Sequence, residues 1–447
     1  MTDQPKQEVT KLSFEKIKED ILAPMQKHKG LELWIVFLLT VMGVCGWAYL
    51  IQLEKGLGVT GMRDYVSWGL YISNFVFFVA VSLVGMLISS ILGLLRIDWI
   101  VPISRIAEII AIAFVAVAGL VIILDMGRPD RVLNVIIHGR FQSPILWDVT
   151  VITTYLAISA LLLILPMIPD LAICRKALPK ASPLQKKLYN ILSFGYINTP
   201  QQHKHLHRTV RMLMVLVVPV GLAIHTVTSW LFAATLRNGW DTTIFGPYFV
   251  AGAFVAGAAA LIIAMYFFRV NYKLQDYISD FHFDKMGKLL VAVCLVYLYF
   301  NLNEFLVPGY KMKSGDATHL RELFFGHWSI MFWISQLLGN IIPILLLVNK
   351  RFRKPLPIMI ISLFVLAGAW FKRYVIVVPT MLHPHLPIQN VPDNFINYYP
   401  TPIEISVTVL SFALVLLIIT VLSKIFPVVP ICETAEQHGI DYKIEEE

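Results

Sequence analysis

The chain has 447 residues, of which 57% are hydrophobic and 15% charged, against roughly 45–50% and 25% in an ordinary soluble domain. At a mean hydropathy of +0.69, no single aqueous core absorbs this much apolar surface, so a bilayer is the solvent for most of the chain. That excludes a soluble enzyme, a disordered protein and a nucleic-acid binder, and assigns the net charge of +8 to cytoplasmic loops.

Residues 1–32 are polar and lysine-rich, and the apolar run after them is too long for a signal peptide. A retained cytoplasmic tail is expected there. Ten apolar runs follow, near 33–53, 67–95, 104–125, 145–168, 209–234, 247–269, 286–307, 325–349, 355–379 and 403–424. Each is long enough for a membrane helix and too long for a barrel strand. The expected fold is an all-α integral membrane protein, with a polytopic domain over 33–424 and a cytoplasmic tail over 425–447. Of the 37 Lys and Arg, 26 fall on the side shared by both tails and the loops after helices 2, 4, 6 and 8, and 11 on the other. The basic side is cytoplasmic. The longest gap between spans is about 40 residues, too short for a soluble cofactor-bearing domain, so such a module must be a separate chain.

Gly56-Leu-Gly58-Val-Thr-Gly61 spells GxGxxG, but it follows a membrane helix and opens no βαβ unit, so it reads as a loop. Asn74 and Glu108 lie inside spans; an interhelical hydrogen bond explains the first, and Arg105, one turn away, could satisfy the second. Between helices 3 and 4, on the outer side, runs the densest cluster: Asp125-Met-Gly-Arg128-Pro129-Asp130-Arg131, His138, Arg140, Ser143-Pro144 and Trp147-Asp148. Gly127 and Pro129 end one helix and Pro144 starts the next. Asp125 and Asp148 therefore stand at adjacent helix ends, either paired with the arginines as structural salt bridges or serving chemistry.

The four cysteines, Cys45, Cys174, Cys294 and Cys432, contain no CxxC pair, so no disulfide framework, iron–sulfur cluster or zinc site is expected. His203, His205 and His207 alternate without a neighbouring carboxylate or cysteine and read as solvated or near lipid head groups rather than as metal ligands. His225 is the one histidine deep in a span, and a membrane haem needs two on facing helices, so no haem is expected. Asn301, Asn303 and Glu304 fall at the outer end of helix 7, and Arg373 near the outer end of helix 9.

The stretch 67–172, carrying SWGLYISNF, SRIAEI, DMGRPDR, SPILWDV and IPDLA, resembles the NrfD/PsrC family, the integral membrane subunits of polysulfide reductase-like complexes. HTVTSWLFA, WDTTIFGPYFVAGA, FKRYVIVVP and KIFPVVPI extend the likeness along most of the chain. Ten spans make it similar to the larger members, such as the membrane subunits of bacterial alternative complex III. The resemblance implies two four-helix bundles plus two extra helices in a bacterial inner membrane. It also implies a quinone or quinol (menaquinone or ubiquinone) near the outer face, and no haem, metal or cluster in this chain. Electrons would pass to or from an iron–sulfur subunit on the outer face. A molybdopterin-type subunit, a multihaem cytochrome and a homologous membrane subunit are the further partners. Two positions depart from the quinol-binding subunit of alternative complex III: Asp125 stands where that subunit has His before MGRP, and Leu231 follows Ser-Trp where it has Asp.

Quinol oxidation releases two electrons and two protons, so its hydroxyls need acceptors at the membrane surface. Asp125, Asp148 and His138 are the candidate acceptors, with Arg373 as an anchor and Trp68 and Trp147 lining a slot for the ring. His225, Glu108 and Glu304 are the candidate proton-transfer groups, with proton translocation left open. A proton-coupled secondary transporter is the competing reading, since buried His and carboxylates also mark proton relays. The break Pro219-Val-Gly221 has no mate in the other half, as that reading requires. A membrane anchor without a working quinone site is the third reading.

Overall fold

The computed structural model describes residues 13–26, 30–178, 182–235, 237–384, 390–392 and 395–440. The remaining stretches of the expected tails, 1–12, 27–29 and 441–447, lie outside these. Among the described residues every regular element is a helix, and ten helical segments are long and apolar enough to cross a membrane. They are α2 (Leu31–Lys55), α3 (Leu70–Ser82) continued by a π turn (Met86–Leu92), α4 (Val101–Asp125), α6 (Pro144–Ala177) and α8 (Pro200–Ala233). Next come α9 (Phe245–Asn271), α10 (Asp280–Lys311), α12 (Ser329–Trp333) continued by a π turn (Ile334–Ile341) and α13 (Ile342–Val348), α14 (Pro355–Met381) and α15 (Pro402–Ile425). Each of the ten expected spans coincides with one of these. The shorter helices are α1 (Phe14–Gln26), α5 (Asn134–Ile137), α7 (Pro183–Leu192), α11 (Ser314–Phe324) and α16 (Ile431–Gln437).

Local chemistry sets the ends. Proline occupies the first turn of α6, α8, α14 and α15, where its missing N–H would be unsatisfied in any case. Thr199 and Thr401 add capping boxes with Gln202 and Glu404, each joining two orphan donors of the first turn to side chains.

Burial separates centre from rim. The apolar window of the Leu70–Leu92 segment is 89% buried and that of α2 only 6%, so α3 is packed on all sides while α2 stands at the rim. α3 neighbours α4, α9 and α14, and its π turn neighbours α8; α6 packs between α4 and α8. α9 neighbours α8, α10 and α14, and the α12–α13 segment packs on α10 and α14. α2 lies along α15, which in turn rests on α4. Small residues permit the tight crossings, as is usual where lipid supplies no hydrophobic drive between helices. A Cβ on Gly257 of α9 would meet the Val84 backbone nitrogen at 3.1 Å, and one on Gly368 of α14 would run into the Gly339 Cα.

Polar residues inside the spans are tied across helices. Asn74 donates to Thr408 and accepts from Trp370 Nε1, both at 2.8 Å, joining α3, α15 and α14. Near the start of α4 the Arg105 guanidinium meets the Asp170 carboxylate of α6 at 2.5 Å, with both side chains buried. Asp170 also accepts from the backbone N–H of Ile431 and Cys432 at 3.0 and 2.9 Å. Arg105 pairs with this residue rather than with Glu108. α1 packs on α15 and α16 through buried Ile17, Ile21, Leu22 and Met25, so the first and last described helices share one face.

Gly368→Ala should destabilise the protein by about 1–3 kcal/mol, the usual cost of forced overpacking, because the methyl meets helix backbone that cannot swing aside. Gly119→Ala, with nothing within 4 Å of its Cβ, should be near neutral. Thermal unfolding of both variants in detergent checks this.

Candidate functional site

Asp148, in the second turn of α6, is 3% exposed. Its Oδ1 lies 2.5 Å from Thr228 Oγ1 on α8, and the same hydroxyl lies 2.7 Å from the Ile224 carbonyl. One hydroxyl carries one proton, so it donates either to a charged Asp148 or to Ile224 while accepting from a protonated Asp148. The pair thus accommodates both forms of the carboxyl. His225, on the same face of α8 three residues before Thr228, is buried with its Nε2 lacking a partner. Trp147, next to Asp148, donates from Nε1 to the Phe141 carbonyl and meets Trp230 edge-on at 6.3 Å. Both rings are partly exposed, 39% and 46%.

Asp125, the last residue of α4, occupies a different setting. Its Oδ1 is buried without a hydrogen-bond partner, and Glu404 of α15 is the charge acting most strongly on it. Glu404 is fully buried and serves as a hub: it accepts from the Gly61 N–H and the Tyr398 hydroxyl, both at 2.7 Å, and from the Thr401 N–H at 2.9 Å. Gln52 of α2 completes this corner, donating to the Leu124 carbonyl at 2.9 Å and accepting from Tyr71 at 2.6 Å. Among the described residues neither Asp125 nor Asp148 forms an ion pair, and Arg128 pairs instead with Asp130 at 2.9 Å. The structural salt bridges that the arginines offered are therefore not made.

The other expected site residues fall elsewhere. His138 is exposed just after α5, in the loop between α4 and α6. Trp68 stacks on Trp240 at 6.1 Å and meets Phe232 at 5.8 Å, an aromatic group separate from Trp147 and Trp230. Arg373 is buried over the Phe249 ring at 4.7 Å with Nη1 lacking a partner, and lies within electrostatic reach of His225. Glu304 sits in a buried ion pair with Lys372 at 3.1 Å. Beside it Asn301 accepts from Tyr248 at 3.3 Å and Gln336 at 3.4 Å, and the Tyr248 and Tyr297 hydroxyls lie 3.2 Å apart. Glu108 lines a cavity of about 140 Å³ with Arg105, Ser104, Met214 and Glu433. The structure thus brings Asp148 and His225 to one face of α8, and leaves Asp125, Arg373 and Glu108 in three other settings.

Sequence reasoning missed Glu404, Tyr398, Gln52 and Tyr71. A signal existed for Glu404: Thr401-Pro-Ile-Glu404 spells a capping box at a span's start. Gln52 stood out only as a lone amide in an apolar run.

The fold and this arrangement define a multi-pass integral membrane protein with ionisable groups held between its helices at both faces. A family model described as polysulphide reductase, NrfD, matches residues 58–384, and the chain belongs to that family. It is similar to a putative dimethyl sulfoxide reductase membrane subunit of Halobacterium salinarum, at 30% identity over 72% of this chain and 70% of that one. It is also similar to a subunit of the selenate reductase of Mesobacillus selenatarsenatis, at 24% identity over 90% and 94% of the two chains. The menaquinone reductase integral membrane subunit of Nitratidesulfovibrio vulgaris is a third relative, at 24% identity over 89% and 92%. The resemblance read from the motifs is borne out. Glu404 and Tyr398 lie beyond the stretch that the family model matches.

On α16, burial pushes the Glu433 carboxyl up from 4.5 to about 7, against the pull of Arg105. A folded value above the unfolded one contributes stability that is full below about 4.5 and is lost as pH rises through 7. Glu433→Gln, which cannot ionise, should gain stability over the parent between pH 5 and pH 8 by an amount on the order of 2 kcal/mol. Unfolding midpoints measured at both pH values check the sign.

Proposed function

We propose that this chain is the membrane subunit through which a respiratory oxidoreductase exchanges electrons with quinol, positioned in a bacterial cytoplasmic membrane with both ends of the chain inside. Two four-helix bundles, α3–α4–α6–α8 and α9–α10–α12/α13–α14, flanked by α2 and α15, fit the helix neighbours described above. The 26-to-11 division of Lys and Arg supports the orientation, as does the packing of α1 on α16 at the basic face.

The observation that carries the function is a pair of carboxyls at neighbouring helix ends, Asp148 buried and Asp125 with one buried, unpartnered oxygen, neither of them neutralised by an ion pair. Buried carboxyl groups without a cation are expensive in a membrane and are kept where a proton or a hydroxyl must be handled. A quinol supplies two electrons and two protons as it is oxidised. Asp148 is the acceptor that holds a hydroxyl donor, because Thr228 serves either of its protonation states. Trp147 and Trp230 form the lipid-side wall past which a flat apolar ring reaches it. His225, one turn deeper, is placed to take a proton onward with its free Nε2. Asp125, with its own free oxygen, is a second acceptor at the corner built by Glu404 and Tyr71. Arg373, buried within electrostatic reach of His225, is the proposed anchor for a ring carbonyl, and Glu304, paired with Lys372, a proposed proton-transfer group.

Electrons must leave to a partner, since no cysteine spacing in this sequence suits a cluster. The loop between α4 and α6 exposes Leu133, Ile136, Ile137 and Phe141, the last 86% exposed. An apolar patch of this kind on an outer loop is suited to burial under an iron–sulfur subunit. The relative named as a menaquinone reductase subunit supports menaquinone as the first quinone to test.

Asp148→Asn should reduce quinol turnover per assembled complex by about 10²-fold, typical of losing acid–base help, with partner content unchanged. Normal specific activity in the Asp148→Asn, Asp125→Asn double variant would remove the site. For topology, a cysteine placed at Lys187 should be labelled by an impermeant reagent only from the cytoplasmic side, and one at Arg131 only from outside.

A further inference from the structure

The alternating histidines at the start of α8 lacked a carboxylate in the sequence around them, and the fold supplies one. Glu436 of α16, more than two hundred residues later, is brought against His203 and His207, and one ligand atom from each lies within 4.8 Å of the others. The two imidazoles stand at i and i+4 on one helix face, with ring centroids 4.2 Å apart. His205, two residues on and about 200° around the helix, is exposed and outside the group. His203 is half-buried and the other two are exposed, so an ion from the adjoining aqueous phase can reach them.

We propose that His203, His207 and Glu436 bind a divalent transition-metal ion of the zinc class, which rivets the C-terminal helix to α8. Two histidines and a glutamate are a donor set that zinc accepts, with water in the fourth position. Around a tetrahedral ion with bonds near 2.0–2.1 Å, ligand atoms sit about 3.3 Å apart, so rotation of these accessible side chains closes the set without backbone movement. The i, i+4 histidine pair is the spacing by which a helix presents two imidazoles to one ion. The consequence reaches inward. Glu433, one turn before Glu436, and Val210 and Met214, one and two turns beyond His207, all line the 140 Å³ cavity that holds Glu108. An ion across α8 and α16 therefore fixes two walls of that cavity.

The test uses the purified full chain, stripped with a chelator and titrated with Zn²⁺ alone, and needs no quinol turnover. The parent should take up one zinc per chain at micromolar concentration, and backbone hydrogen exchange in 431–440 should slow on binding. His203→Ala with His207→Ala, or Glu436→Gln alone, should weaken binding by about a hundredfold or more, since even an outer-shell loss costs 10–100-fold. His205→Ala should bind as the parent does. All the substituted side chains lie at the surface or half-buried on α8 and α16, and metal-free unfolding midpoints confirm that each variant folds. Equal weakening in His205→Ala, binding with no slowing of exchange in 431–440, or no stoichiometric uptake by the parent would each overturn the site.

Discussion

Hydrocarbon offers no hydrogen bonds, so each ionisable side chain placed between these helices must be answered by another part of the chain. Arg105 and Asp170 answer one another, and the remaining lone pairs of Asp170 take two backbone N–H groups of α16. Lys372 answers Glu304, and Asn74 ties three helices at once. Other buried atoms have no hydrogen-bond partner, among them Asp125 Oδ1, His225 Nε2, Arg373 Nη1, one nitrogen of Arg105 and both amide atoms of Asn340. Unanswered groups in a medium that penalises them are the places where a further molecule or a moving proton belongs.

Asp148 and Asp125 stand in two separate corners of the bundle. Asp148 is held by α8, and Asp125 by a corner that draws on α2, α3 and α15. The second corner explains why a pair of rim helices is useful to a bundle that could close without it. Gln52 and Glu404, the polar residues that build it, come from those two helices, and the backbone N–H of Gly61 docks into the same carboxylate.

Much of the fold was legible because a bilayer imposes a length and a composition on each span, and nothing else in the chain imitates them. Helix ends were readable from proline and threonine, whose effects are local. Which polar residues meet was not readable, because pairing across helices depends on rotation and depth, and neither leaves a mark in a linear pattern. Arg105 illustrates it: Glu108 lies one turn along the same helix, yet the partner is Asp170, 65 residues away. Asp125 and Asp148 look adjacent in sequence because one loop joins them, but their helices turn them toward different neighbours. The histidines of α8 show the same limit from the other direction, since their carboxylate neighbour comes from the far end of the chain.

The bond between Asp170 and the last described helix also sets a schedule for biogenesis. Asp170 is made 261 residues before Ile431, whose N–H it accepts. At a synthesis rate of about 5–20 residues per second, that interval lasts on the order of half a minute. Throughout it, α4 and α6 are already made, with a guanidinium and a carboxylate at their facing ends and no capping helix over them. The ion pair between the two is what the nascent chain has in the meantime. That end of the bundle is therefore completed late, by a helix that packs on α4 and α6 only after all ten spans have been made.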